Sequence, residues 1–289
     1  MDGRRLLWIG IALAVALLVG AAAYVAFRLR NRRLEKRVKK IPPRLRHPVV
    51  LAHGILGFDK VGVGGLAEAA YFRGVAPRLT KLGAKVYAFQ VRPSASVAAR
   101  AEDLRLAVQA LGEERVNVIA HSMGGLDARY AVAKLGLADK VASITTIGTP
   151  HHGTPLADLG TNLWGLAPAA RRLLEAMGVD VSGFFDLTTE RMRQFNAEVP
   201  DVRGIFYGSY VARTSGGLAT THPLLVPTWK LIRERAGDND GLVPVHSQQW
   251  GERLGEIEAD HWAQIGWSRA FDAPAFYEAL VRELMQRGL

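Results

Sequence analysis

The chain has 289 residues and is 49% hydrophobic, enough for one large α/β domain or two small ones; it has no cysteine, which excludes disulfides, thiolate metal sites and a cysteine nucleophile. The net charge of +10 sits in residues 1–46, which hold 12 Lys/Arg against Asp2 and Glu35, whereas the rest carries 25 basic and 25 acidic residues. That neutral body excludes a basic nucleic-acid footprint on a folded face.

Residues 1–5 form a short flank, and Leu6 to Phe27 follows as 22 residues without a charge, with Trp8 and Tyr24 near its ends. At 1.5 Å per residue this run crosses a hydrocarbon core of about 30 Å, so it reads as a transmembrane helix. Ala21-Ala22-Ala23 would suit a signal peptidase, but the run is longer than a signal-peptide core, which favours an uncleaved anchor. Arg28 to Lys40 carries eight Lys/Arg against one Glu and outnumbers Arg4 and Arg5. The positive-inside rule therefore puts the basic segment, and all that follows, on the cytoplasmic side of the cell membrane. The run reads as a stop-transfer flank, with attraction to anionic lipid as the alternative. Ile41-Pro42-Pro43 breaks any helix, so 28–46 is a linker into a domain spanning 47–289.

From Pro48 the pattern alternates. Val49 to Ala52 is predicted as a buried strand, Tyr71 to Leu82 as an amphipathic helix, Lys85 to Val91 as a strand, and Val97 to Leu111 as a helix capped by Ser96. Val116 to Ala120 is a buried strand that runs into Ala120-His121-Ser122-Met123-Gly124, where small residues two before and two after the serine allow a strained strand-to-helix corner. This is a nucleophile elbow with alanine in place of its first glycine, and Gly125 to Lys134 is the helix it opens. On these five residues alone an ordinary βα loop is an equally good reading.

Val141 to Ile147 is the next strand. Pro155 to Pro200, with Trp164, Leu166, Phe184 and Phe185, interrupts the rhythm as an insertion, and a lid over an acyl cleft and plain loop packing stand side by side as its roles. Val202 to Tyr210 resumes the sheet, Glu256 to Ala259 reads as a strand, and Ala275 to Arg287 closes the chain as an amphipathic helix. Strands separated by helices of 10–15 residues mean βαβ units and a mostly parallel, doubly wound sheet, with ligands beyond the carboxyl ends of the strands.

A serine nucleophile needs a base, and the base needs an orienting acid. Among eight histidines, His261 is the best placed, following a strand and preceding the last helix. In Asp238-Asn239-Asp240-Gly241, Asp240 is the candidate acid and Asp238 the fallback, although such clusters form turns for backbone reasons alone. The amide of Met123, next to Ser122, offers one oxyanion donor, and that of Ile55, in the loop His53-Gly54-Ile55-Leu56-Gly57, offers the other. His53 reads as a loop-fixing residue.

In these segments the chain resembles the bacterial triacylglycerol lipases of the α/β-hydrolase superfamily. The likeness spans most of residues 48–265 and rests on PVVLAHGILGFDK, YFRGVAPRLTKLGAKVY, VNVIAHSMGGLDARY, ITTIGTPHHGTPLAD, LTTERMRQFN, NDGLVP and the His261 segment, in one order. It implies an α/β-hydrolase fold with a helical lid-like insertion at 155–200. It also implies Ser122 as nucleophile, Asp240 as acid, His261 as base, Ile55 and Met123 as oxyanion amides, and acyl-ester hydrolysis through an acyl-enzyme, with an acyl ester or lipid as substrate. Where family members place a calcium-holding aspartate two residues after the catalytic histidine, this chain has Ala263, so neither calcium nor a cofactor is expected. His152 stands where the family often has arginine, an anchor replaces the secretion signal, and a secreted fat-digesting role is therefore not implied. An acyltransferase using the same triad is the alternative within enzymology, distinguished by a new ester when a lipid alcohol is present. A non-catalytic membrane-tethered binding protein of the same fold is the other alternative, and it should lack a triad member, whereas all three are present.

Overall fold

The computed structural model describes residues 45–55, 71–164, 182–268 and 270–289. The anchor predicted at Leu6 to Phe27, its basic flank and residues 165–181 of the insertion lie outside these. Among the described residues no helix is long and apolar enough to cross a membrane.

Six strands form one parallel sheet: β1 (Val49–Ala52), β2 (Val86–Ala88), β3 (Val116–His121), β4 (Val141–Ile147), β5 (Phe206–Arg213) and β6 (Glu252–Glu258), in the order β2-β1-β3-β4-β5-β6. Because successive strand residues point to opposite faces, the buried run VVLA feeds two cores at once. Val49 and Leu51 pack with Val75 and Leu79 of helix α1 (Val75–Lys81) and with Tyr277, Leu280 and Leu284 near the chain's end. Val50 and Ala52 pack on the opposite face, with Ala101, Leu104 and Val108 of α2 (Val97–Ala110) and with Ala128, Ala131 and Val132 of α3 (Gly124–Lys134). The sheet is thus doubly wound, as predicted. Strand order reverses between β1 and β3, the switch point at which such sheets leave a crevice beyond their carboxyl ends.

Several boundaries differ from the sequence reading. Helix α1 starts four residues after Tyr71 because Gly74, at φ 75°, interrupts the backbone before it. Strand β2 ends at Ala88, and the Val91 amide donates to His53 Nε2 at 3.1 Å. Strand β5 starts four residues later than predicted, after the turn at Gly204, at φ 88°, and runs on to Arg213. The described parts of the insertion are α4 (Pro155–Trp164), α5 (Ser182–Asp186) and α6 (Thr189–Glu198). From Ser182 onward it is fastened down. Gly183 donates to Ser94 O at 3.0 Å, Asp186 accepts from the Val97 amide at 2.8 Å, and Leu187 and Met192 are buried against Met123 and Leu126. This stretch packs against the core. Helix α7 (Val226–Ala236) and the short α8 (Val245–Gln248) precede β6, and α9 (Ala273–Gln286) ends the fold.

Candidate active site

Ser122 directly follows β3 and, at φ 55°, is the one non-glycine residue with positive φ among those described. Such a conformation costs an L-residue about 1–3 kcal/mol and persists only where its surroundings impose it. Here its amide donates to Ile147 O at 3.0 Å and its carbonyl accepts from Thr149 Oγ1 at 2.7 Å, gripping both sides of the peptide unit. The glycines predicted for the corner are explained by close approach. A Cβ on Gly124 would lie 2.5 Å from Ala52 O, and one on Gly54 would lie 2.7 Å from Ser122 Cβ. The loop after β1 therefore runs directly over the serine, one strand across the switch point.

The structure brings Ser122, His261 and Asp240 together. His261 Nε2 is 3.0 Å from Ser122 Oγ, and His261 Nδ1 is 2.8 Å from Asp240 Oδ2. Asp240 is fully buried, and its carboxylate accepts four hydrogen bonds: Oδ1 from the amides of Leu242 (3.0 Å) and Val243 (2.8 Å), and Oδ2 from His261 and from Gln264 Nε2 (2.8 Å). An acceptor-only carboxylate so surrounded fixes Nδ1 of His261 as the protonated nitrogen and leaves Nε2 to accept from the serine hydroxyl. The fallback acid, Asp238, lies on the surface in ion pairs with Arg213 and Arg233, away from His261.

Neither of the two predicted oxyanion amides has a hydrogen-bond partner among the described residues. Met123 is the N-cap of α3, so its amide belongs to the unpaired donors of a helix N-terminus, where the dipole favours negative charge. The Ile55 amide has no partner among the described residues, while its side chain packs near Met123. His53 has the loop-fixing role expected of it. Its Nδ1 donates to Gly54 O at 2.8 Å, its Nε2 takes the Val91 amide, and its carbonyl accepts from Arg100 Nη2 at 2.7 Å. Arg100 is wholly buried and paired with Asp127 at 2.8 Å, so an ion pair between α2 and α3 holds the loop. His152 is no participant; its amide donates to Ser247 Oγ and its ring tilts against Trp250. The buried neighbour His151 instead takes Arg129, whose guanidinium lies 3.5 Å from the Trp250 ring centroid.

Among the described residues no group of three His, Asp or Glu side chains is placed to share a metal. At the position two after His261, Ala263 is a buried methyl, and both oxygens of neighbouring Asp260 are taken by the amides of Trp262, Ala263 and His222. These residues do not fit a calcium ion.

Three histidines near the site are neutral for the same reason. Burial drives His53 down to about 4, aided by Arg100, and holds His121 and His151 well below the usual imidazole value, aided by His261 and by Arg129 respectively. Their linkage to folding has a definite sign. Below about pH 6.5 the unfolded chain protonates all three while the native protein does not, so stability falls as pH falls. Asp127, raised by burial to about 6, opposes this with one proton taken up by the native state. The three imidazoles outweigh the one carboxyl, so the net effect is a loss of stability as the pH falls from about 6. Urea unfolding should therefore show a lower midpoint at pH 5 than at pH 6.5; equal midpoints at the two pH values would refute the burial of neutral imidazoles.

Sequence reasoning missed Tyr71, His121 and Gln264, which surround the triad. His121 ring and His261 ring lie 4.5 Å apart, and no spacing in the chain signals a contact between positions 71, 121 and 264.

Known proteins share this arrangement of chain. A profile described as alpha/beta hydrolase fold matches residues 47–164. "Triacylglycerol lipase 2" of Saccharomyces cerevisiae is 29% identical over 273 residues, covering 78% of this chain and 81% of its own. The triacylglycerol lipase of Pseudomonas fragi is 26% identical over 293 residues, covering 84% and 98%. Among solved structures, the Staphylococcus hyicus lipase superposes with a TM-score of 0.68 at 20% identity, covering 85% of this chain and 97% of its own, which supports the fold. With a parallel sheet, an elbow at its switch point and relatives along most of its length, the chain is similar to the triacylglycerol lipases of the α/β-hydrolase superfamily, and that likeness supports a carboxylic ester hydrolase.

Proposed function

We propose that the protein is a membrane-anchored serine ester hydrolase that cleaves the acyl esters of lipids through an acyl-enzyme. The observation that carries this reading is the line of hydrogen bonds from Ser122 Oγ through His261 to Asp240, beside two amides with no described partner. In the first half-reaction Ser122 Oγ attacks the ester carbonyl carbon as its proton passes to His261 Nε2. The oxyanion is held by the amides of Met123 and Ile55, and the proton on His261 then goes to the departing alcohol oxygen, leaving the acyl group on Ser122. Water repeats the sequence: its proton goes to His261, its oxygen attacks the acyl carbon, and Ser122 Oγ leaves with the proton as the free acid forms. Asp240 stays ionised and stabilises the imidazolium.

The names of the relatives support an acylglycerol as the substrate class. A panel of p-nitrophenyl esters and a triacylglycerol emulsion, with a lipid alcohol added, tests it. Hydrolysis is expected to release free acid in every case; a new ester as the main product would replace it with acyl transfer, and no turnover of any ester would reject it. The apolar length of Leu6 to Phe27 and the eight basic residues after it support an anchor with the catalytic domain on the cytoplasmic side. Alkaline phosphatase fused after Leu289 should then be inactive in a bacterial host, and an active fusion would reverse the orientation.

A further inference from the structure

A buried hydrogen-bond chain joins the oxyanion loop to the acid by a route that avoids the serine. The Gly54 amide donates to Tyr71 Oη at 3.0 Å, Tyr71 Oη lies 2.8 Å from His121 Nδ1, His121 Nε2 lies 3.1 Å from Gln264 Oε1, and Gln264 Nε2 donates to Asp240 Oδ2 at 2.8 Å. Its polarity is determined throughout. Asp240 only accepts, so Gln264 turns its amide nitrogen to Asp240 and its oxygen to His121. His121 must then carry its proton on Nε2, and its bare Nδ1 takes the Tyr71 hydroxyl proton, leaving the phenolic oxygen to accept from Gly54. Every donor has one acceptor, and Tyr71, His121 and Gln264 are all buried. Room for the middle of the chain is left by Gly148, at φ 60°, where a Cβ would collide with Gln264 Oε1.

We infer that Tyr71, His121 and Gln264 are positioning residues that set the oxyanion loop and the Asp240–His261 pair as one unit. The inference rests on the ester-hydrolase reading and deepens it. Tyr71 occupies the Gly54 amide, which leaves the next amide, that of Ile55, as the loop's donor to an oxyanion. Gln264 supplies the second donor to Asp240 Oδ2, so the carboxylate cannot rotate away from His261. His121, whose ring faces His261, Tyr71 and Gln264, stays neutral through burial and the nearness of His261, so no like charge opposes the imidazolium that forms on His261.

The test uses the full chain with Tyr71→Phe, Gln264→Met and the pair, assayed for kcat, KM and the pH profile on a p-nitrophenyl ester, with melting temperature as the check on folding. Each single variant should lose about 10- to 100-fold in kcat while KM moves less than about threefold, a loss of the size seen when supporting partners of a site are removed. The pair should lose about as much as the worse single variant, because the chain is already broken. Losses that multiply, or that fall on KM alone, would overturn the inference. If Gln264→Met fails to fold, Tyr71→Phe is read alone together with the ¹⁵N imidazole signals of His121 in the wild type. Those should show Nε2 protonated and Nδ1 bare, and a proton on Nδ1 would overturn the chain. This signature is read whether or not an ester is turned over, so an inactive wild type with the expected tautomer would count against the hydrolase reading and leave the chain standing.

Discussion

Replacing Ser122 with alanine is expected to lower kcat on a p-nitrophenyl ester by about 10⁵- to 10⁶-fold, the scale at which loss of a serine nucleophile disables such a triad. The change removes one oxygen and little else. The strained φ of 55° is held by the grip of Ile147 and Thr149 on the backbone of residue 122, which does not depend on the hydroxyl. Folding should survive, and the melting temperature should move by only a few degrees. His261 loses its proton donor but keeps Asp240, so base and acid remain in place with nothing to activate except water. Residual turnover within about tenfold of the wild type would assign the nucleophile elsewhere.

Replacing Asp240 with asparagine should lower kcat by about 10⁴-fold, and the local geometry says why. Oδ1 accepts from the amides of Leu242 and Val243, two donors that an asparagine oxygen retains. That retention turns the new NH₂ group toward His261 Nδ1 and toward Gln264 Nε2, both of which are donors in the native site. His261 relieves the clash by moving its proton to Nε2, where it faces Ser122 and can no longer take the serine's proton. Gln264 relieves its own by flipping its amide, which breaks the bond to His121. The loss should fall on kcat with fold intact, and should shrink at high pH where hydroxide substitutes for the base. An Asp240→Asn enzyme with wild-type kcat would remove the acid from the mechanism.

The sequence was most legible where burial on both faces leaves little choice. Strands β1 and β4 have the predicted bounds because VVLA and VASITTI are buried throughout, and β3 is one residue longer. Strand β6 was half seen because ERLGEIE is an edge strand, mostly exposed and charged, with no apolar run to mark it. Helix α7 was not anticipated: Pro227 sits in its first turn and Ile232 is its one buried hydrophobic side chain, so it lacks a stripe. At the site, Ser122, His53, Asp240 and His261 were readable because each lies in a loop whose glycines or position after a strand announce a special backbone. Tyr71 and Gln264 are ordinary residue types that meet His121 across 50 and 143 positions of sequence, a meeting that only the folded sheet brings about.

Covalent capture of the nucleophile tests the central assignment most directly. The full chain treated with a fluorophosphonate and mapped by peptide mass should carry a single adduct, on Ser122, and Ser122→Ala should carry none. An adduct on any other residue, or undiminished labelling of Ser122→Ala, would contradict it.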